Sequence, residues 1–583
     1  MTSDVADRPT ATAFEARPAP EPASPGREPA GTVRPSRWAL VVLLAVLLFG
    51  TWVRLVDLGK GDFWTDELYH VFAAEALARG DGPRLPSGEV YGRGIDVTRL
   101  VAVARAHIDD PELAARLPSA IFGVAGLFAF AVIAWRVAGA WTAVWAVLLL
   151  GVFPVPLQEA RNTRFYTLQL LHGLVAFYAG WRTLAPQGFS IVGADPSAPT
   201  LRERWGWAAL TAVAFAAAAR VQPTTLSVGA GWGVCVLLFA VADASRLGKR
   251  ALRESIAVQL SIAGLAGTAV VVAARPDLIR ETLALAMYVP LWAEGTYSPR
   301  TYYWMLVNFT PLLLSLVPLI FVAVFRRSPA LMTFLLMWFA VPFALHSFVF
   351  RFQTERYVLL ALPALFLAAG IAAADGCGAL FRMVSTKVER LHRGVSPQLA
   401  RVVAAGTVAM ISGFALLTTP AFSRAKRVAT GDLEVRSETN WKAALEVLRS
   451  TPGADTLPWT SNQSMAARYY WGRLDFAIER GLLDRPEGGP ETVGPRPTTI
   501  HPEGSRDYYL GVPVVWRASS VREFFGPGRD VIVAFDSTVQ SRFPESVMSE
   551  LRGGNAQELC LGRCGTVLLY RWTLAPDDSA AGR

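Results

Sequence analysis

Six stretches of this chain are nearly free of charge: Ala39–Gly50, Ala120–Ala134, Ala208–Ala219, Val258–Ala274, Pro311–Val324 and Ala361–Ala374. With their flanks, several reach the roughly 20 residues that carry a helix across a bilayer. Few other folds accommodate so many apolar runs. Composition agrees, because 52% of the 583 residues are hydrophobic and only 18% are charged. A soluble chain of this length carries nearer one quarter charged residues. The expected fold class is therefore an α-helical polytopic membrane protein of about eleven transmembrane helices. The spans are placed near 38–57, 116–135, 140–157, 164–183, 206–221, 223–243, 256–274, 302–325, 330–350, 356–375 and 401–419.

Basic loops set the expected orientation. Arg246, Lys249 and Arg250 follow the sixth span, Arg326-Arg327 the eighth, and Arg382, Lys387, Arg390 and Arg393 the tenth. All fall on the side of the N-terminus, which is thus expected to be cytoplasmic. An odd span count puts the C-terminal region outside, in a bacterial plasma membrane. The net charge of +9 is then a matter of topology and lipid headgroups, not of nucleic acid. Cys560 and Cys564 fall in the outer region, where a disulfide is permitted.

Residues 1–36, rich in Pro and Ala, read as a disordered cytoplasmic tail. The segment 37–420 is the expected membrane domain, with a long outer loop at 58–115 that holds short helices after Asp66-Glu67 and over Ile95–His107. Residues 276–300 suggest an interfacial helix. From 421 to 583 the pattern changes to a small extracytoplasmic α/β domain. Trp441–Leu448 is its expected amphipathic helix, and Val531–Phe535 and Thr566–Tyr570 are expected buried strands. Pro544–Leu551 is a helix between those strands, and Pro486–Pro502 a loop.

Asp66 and Glu67, in Trp64-Thr65-Asp66-Glu67-Leu68-Tyr69-His70, stand out because ionised carboxylates are avoided at a bilayer edge. A carboxylate there can take a proton from a hydroxyl as that hydroxyl attacks an electrophilic carbon. Alternatively, the pair caps the helix that begins near Leu68. His70 lies on the same helix face and is either a metal ligand or a hydrogen-bonded interfacial histidine. Basic residues on outer junctions run against the charge rule and need a reason. Glu159, Arg161, Arg164 and Tyr166 lie where the third and fourth spans meet. Arg351, Arg356 and Tyr357 lie between the ninth and tenth, with Arg220 and Arg116 as weaker cases. A guanidinium can grip phosphate with a planar fork of donors, or it can snorkel from a helix end. Together these groups suit an anionic lipid and a hydroxyl acceptor.

Four elements resemble the catalytic half of a known family. They are Asp66–His70 followed by Ala73–Gly80, then Ala114–Ala120, then Ala160–Leu168, with Arg356-Tyr357 and Pro363 as a later element. The family is that of protein O-mannosyltransferases and aminoarabinose transferases, polytopic glycosyltransferases of superfamily C. The resemblance implies a sugar donor on a polyprenyl phosphate and an inverting transfer on the outer face. It implies that Asp66 is the general base, with Glu67 its motif neighbour and Arg116 a match to a family arginine. Charge on the leaving phosphate would be met by arginines or by a divalent ion. The acceptor, a lipid, glycan or protein hydroxyl, stays open. Relatives carry Pro-Pro-Leu after a loop tyrosine, whereas here Tyr91 is followed by Gly92-Arg93-Gly94. A polytopic transporter or flippase is the alternative, but it would show inverted repeats and broken helices near the midplane.

Overall fold

The computed structural model of the chain describes residues 37–185, 200–274, 297–391, 396–430, 440–478 and most of 506–574. The expected N-terminal tail, the interfacial helix over 276–296 and the 486–502 loop lie outside the described residues. The first part of the chain forms α1 (Arg37–Leu55), α2 (Thr65–Ala78), α3 (Ile95–Arg105), α4 (Pro111–Ala138), α5 (Ala140–Val152), α6 (Pro154–Arg161), α7 (Tyr166–Leu184), α8 (Leu201–Val221) and α9 (Thr225–Leu247). Further helices occupy Ile256–Ala274, Thr301–Phe309, Pro311–Arg327, Pro329–Ala344, Leu362–Leu391 and Pro397–Leu417.

Six described helices are long and apolar enough to cross a bilayer, or seven if the bent pair α5–α6 is one span. The larger number of spans expected from sequence is not reached by this measure. Two spans expected to be continuous are interrupted at prolines, between α5 and α6 and between Phe309 and Pro311. The α8 helix carries Arg202, Glu203, Arg204 and Arg220 along its length.

The break between α5 and α6 shapes the functional end of the bundle. Pro154 has no N–H to continue α5, and it pushes Phe153 into an extended conformation. The pair bends by 59°. The last carbonyls of a helix lack partners within it. Buried Arg54 of α1 supplies donors, with Nη1 to Gly151 O at 3.1 Å and Nη2 to Leu150 O at 3.1 Å. Arg161 at the end of α6 returns the favour to the end of α1. It donates to Val53 O at 3.1 Å, Val56 O at 2.6 Å and Asp57 O at 3.3 Å. Each helix end is thus capped by an arginine from the other. The helices meet closely at Gly50, where a Cβ would lie 2.6 Å from Leu127 Cδ2. Small residues at such contacts are a common way to bring membrane helices together.

After the basic helix Pro420–Ala429, the chain forms a C-terminal α/β region with helices Trp441–Ser450, Ser464–Trp471 and Glu545–Arg552. Its sheet has the order β1 (Trp459–Ser461), β4 (Asp530–Asp536), β6 (Val567–Thr573), β5 (Ala556–Glu558). A separate parallel pair joins β2 (Ala477–Ile478) to β3 (Val514–Val515). Strand β1 runs parallel to β4, and β6 runs antiparallel to both β4 and β5. The expected strands and both expected helices are present.

Alternation along β4 sends its residues to two faces. Val531, Val533 and Phe535 join Val547, Met548 and Leu551 in one core. Ile532 and Ala534 join Trp441, Ala444 and Leu448 in a second core, continuous with that of the helix bundle. The sheet is covered on both sides, and one side ties it to the membrane domain. A disulfide joins Cys560 to Cys564.

Candidate functional site

Asp66 and Glu67 both lie in the first turn of α2, where the helix dipole favours acids. Their side chains leave the turn in different directions and meet different partners. Glu67 is buried. Arg116 binds it with a two-pronged fork, Nε to Oε1 at 2.9 Å and Nη2 to Oε2 at 3.1 Å. The Trp64 N–H donates to Oε2 at 2.9 Å, and the Thr163 N–H to Oε1 at 2.8 Å. Burial alone would raise this carboxyl, but Arg116 and the hydrogen bonds outweigh it and hold Glu67 below its ordinary pKa. The remaining donors of Arg116 go to the carbonyls of Leu58, Lys60, Gly61 and Asp62, at 3.2, 2.8, 3.1 and 3.0 Å. Glu67 therefore carries out the capping role that the sequence left open for the pair, and Arg116 organises the chain entering α2.

The Asp66 carboxylate is partly open, with its side chain 20% exposed. Arg356 Nη2 lies 2.9 Å and Arg164 Nη2 3.7 Å from Oδ2. Arg164 Nη1 also donates to the Asp66 carbonyl at 2.8 Å. The two arginines come from opposite parts of the chain. Arg164 sits between α6 and α7, and Arg356 in the short 3-10 turn Glu355–Val358. Tyr166, at the start of α7, receives both guanidinium groups on its ring, at 5.5 Å from Arg164 and 5.4 Å from Arg356. Trp64 and Phe165 flank Arg356 and Arg164 in the same way, at 5.6 and 5.1 Å. Such contacts hold a guanidinium in place without using its N–H donors. The Nε of Arg164 and the Nε of Arg356 are buried and have no hydrogen-bond partner among the described residues.

Buried Glu159, in α6, is within electrostatic reach of both Arg164 and Arg356. Tyr357 adjoins Arg356 and is in electrostatic reach of Tyr166. The expected residues Asp66, Glu159, Arg164, Tyr166, Arg356 and Tyr357 thus gather at one place. Arg161 and Arg116 lie beside it with protein partners. Arg220 and Arg351 are not brought to it. Arg220 pairs with Asp96 at 2.7 Å on an exposed surface, and Arg351 stacks on Tyr297 at 4.8 Å.

His70 is fully buried, one turn beyond Asp66. Its Nδ1 is 2.8 Å from Thr98 Oγ1, and its ring meets Tyr91 and Phe165 edge to face at 5.1 and 5.6 Å. Burial, with Arg164 nearby and Asp66 opposing, pushes its pKa well below the ordinary histidine value. The imidazole is surrounded by Thr98 and aromatic rings. Among the described residues no three His, Cys, Asp or Glu side chains come together in a way that could hold a metal ion. The Nδ1 thus takes the hydrogen-bonded role expected of an interfacial histidine, while the buried Nε2 has no hydrogen-bond partner among the described residues.

Sequence reasoning missed several members of the site. Ser119 fixes the backbone of Arg164, accepting from its N–H at 3.1 Å and donating to its carbonyl at 2.7 Å. Tyr91 is buried against His70 and within electrostatic reach of Arg164 and Asp66. Exposed Arg93 adds positive charge near Tyr91 and Tyr357. The glycines around Arg93 were the available signal. Gly94 has φ +56°, and a Cβ there would lie 2.5 Å from the Phe165 ring, so the loop approaches the site through a position that favours glycine.

No protein-family model matches the sequence, and no curated protein matches it. Solved structures do match in fold. ArnT from Cupriavidus metallidurans in the apo state is 14% identical and aligns over 92% of this chain and 99% of its own, with a TM-score of 0.52. ArnT bound to undecaprenyl phosphate aligns over the same shares at 14% identity, with a TM-score of 0.50. The archaeal oligosaccharyltransferase AglB from Archaeoglobus fulgidus, in complex with an inhibitory peptide and a dolichol phosphate, is 12% identical. It aligns over 86% of this chain and 70% of its own, with a TM-score of 0.51. The likeness is one of fold, and with the apolar helices it makes this chain a multi-pass integral membrane protein.

Proposed function

We propose that this protein is a membrane glycosyltransferase that moves a sugar from a polyprenyl-phosphate donor to a hydroxyl acceptor. One observation carries the reading. Two buried guanidinium groups converge on the partly open Asp66 carboxylate, and each retains an N–H with no partner among the described residues. A buried donor without a partner costs about 1–3 kcal/mol, which an anionic ligand would relieve. Undecaprenyl phosphate in ArnT and dolichol phosphate in AglB are ligands of that chemical class in proteins of the same fold.

The donor phosphate binds the open edges of Arg164 and Arg356, which Tyr166 and Trp64 keep oriented. As the phosphate draws these arginines, Asp66 becomes available to the acceptor. Asp66 takes the hydroxyl proton, and the acceptor oxygen attacks the anomeric carbon from the face opposite the phosphate. The bond from that carbon to the phosphate oxygen breaks with its electron pair, so configuration inverts and polyprenyl phosphate leaves. The guanidinium groups lie where its charge develops. Glu159 and Tyr357 complete the polar surround.

The reaction face is extracytoplasmic and the N-terminus cytoplasmic. The basic loops support this orientation. The Cys560–Cys564 disulfide supports it too, because it belongs to the region docked on the Asp66 end and disulfides persist in oxidising compartments. The test is Asp66→Asn in the full chain, assayed with labelled undecaprenyl-phosphate hexoses and pentoses and a panel of hydroxyl acceptors. Transfer should fall by about 10²–10⁴-fold, with membrane insertion and undecaprenyl phosphate binding retained. Near-normal transfer in the variant would end the assignment of Asp66.

A further inference from the structure

The chain between α1 and α2 has no regular structure over residues 60–64, yet it sets where α2 begins and so where Asp66 points. Its polar groups need partners from elsewhere. Arg116 supplies them on one side, through the carbonyls described above. The C-terminal region supplies them on the other. The Phe63 N–H donates to the Tyr470 hydroxyl at 2.6 Å, and that hydroxyl donates to Glu112 Oε1 at 3.0 Å. Lys442 places its ammonium 2.7 Å from Glu112 Oε1 and 3.8 Å from Asp62 Oδ1. The Lys442 N–H donates to Asp62 Oδ2 at 3.2 Å. Asp62 and Glu112 are almost fully buried, at 5% and 2% exposure. Two buried acids therefore share one ammonium, and Glu112 also takes a phenol, both from beyond residue 440. The Thr65 hydroxyl, next to Asp66, donates to Gln463 Oε1.

We infer that Tyr470, assisted by Lys442 and Gln463, is a positioning residue for Asp66, so that the C-terminal region is a working part of the site. Tyr470 is the centre of the arrangement. It is the acceptor for the Phe63 amide, three residues before Asp66, and it bridges that amide to Glu112 at the start of α4. Displacing the first turn of α2 by an ångström would carry Asp66 away from the attacking hydroxyl, whereas the backbones of Arg164, fixed by Ser119, and of Arg356, in the 355–358 turn, would stay in place. An error of that size can cost up to about a hundredfold in rate. Donor binding would survive and turnover would not, which separates this role from a general contribution to stability. The inference rests on the transferase reading above.

The experiment compares wild type, Tyr470→Phe, Val533→Ala and Asp66→Asn as full chains in lipid nanodiscs. Val533 lies in the core on the far face of the sheet and reports a purely structural loss in the same region. Labelled undecaprenyl-phosphate hexoses and pentoses give kcat and KM, undecaprenyl phosphate gives binding, and amide hydrogen exchange follows residues 63–70. Tyr470→Phe should lower kcat about tenfold or more with KM and undecaprenyl phosphate binding within about twofold, and should speed exchange over 63–70. Val533→Ala should lower the melting temperature and leave both readouts as in wild type. Unchanged exchange over 63–70 in Tyr470→Phe overturns the inference whether or not transfer is detected. So does an unchanged kcat when Asp66→Asn is inactive. Turnover that is absent in wild type, or indifferent to Asp66→Asn, overturns the transferase reading instead, and the exchange data then decide this inference alone.

Discussion

Two groups of arginines lie at the same end of the helix bundle and differ in what their guanidinium groups face. Arg54, Arg116 and Arg161 form the first group, around the α1–α2 junction and the α5–α6 break. Their guanidinium groups point at backbone carbonyls, and Arg116 also grips Glu67. Arg164 and Arg356 form the second, stacked on Tyr166 with an unpartnered Nε each. The chemistry of the side chain is identical in both groups. In the first group the guanidinium groups are spent on backbone carbonyls and on Glu67, although the Nε of Arg54 is also buried without a partner among the described residues, whereas in the second they are held by ring faces and converge on the partly open Asp66 carboxylate. The difference lies in what each guanidinium faces: backbone carbonyls in one group, the Asp66 carboxylate in the other.

The sharpest way to break this contrast is Arg116→Gln. It leaves Glu67 buried without its charge partner, a change that costs about 3–5 kcal/mol when one member of a buried pair is removed. Thermal unfolding of the purified chain should show a large loss of stability. Arg356→Gln should do the reverse. It removes a charged contact to the donor phosphate worth about 1.5–3 kcal/mol, so undecaprenyl phosphate binding should weaken about 10- to 100-fold while the melting temperature moves little. If Arg356→Gln unfolds the protein as Arg116→Gln does, the two groups are not distinct. Arg220→Ala is the smallest of the three. Its pair with Asp96 is exposed, and such pairs contribute about 0–1 kcal/mol, so neither stability nor turnover should change measurably.

Much of the architecture was legible because it depends on local pattern. The α1 helix falls within two residues of its expected bounds, since an uninterrupted apolar run in a bilayer has one way to satisfy its backbone. The strand at Asp530–Asp536 followed from a short apolar run bounded by charged or glycine-rich turns, and the helix at Trp441–Ser450 from amphipathic spacing. The bend between α5 and α6 was missed although Pro154 and Pro156 were visible. Hydropathy counts residues and is blind to a lost N–H. Within the site, Asp66 and Glu67 were marked together by charge out of place and told apart only through the resemblance, and the grip of Arg116 on Glu67 was not foreseen. Adjacent residues at a helix start share the same local signal and diverge only in what the rest of the fold brings to each.

The sequence by itself determined that this chain enters a membrane, that a small α/β region follows, and that Asp66, Glu67 and a set of arginines sit at the wrong place for idle charges. Those conclusions need only composition, periodicity and the cost of charge near a bilayer. Which arginine is a clamp and which is open was decided only in three dimensions. Arg161 donates to carbonyls about a hundred residues earlier in the chain, and Arg116 to Glu67 and to a loop more than fifty residues before it. Arg164 and Arg356 are held instead by the ring of Tyr166. A guanidinium cannot show in sequence whether its donors are filled, because the groups that fill them arrive through tertiary packing.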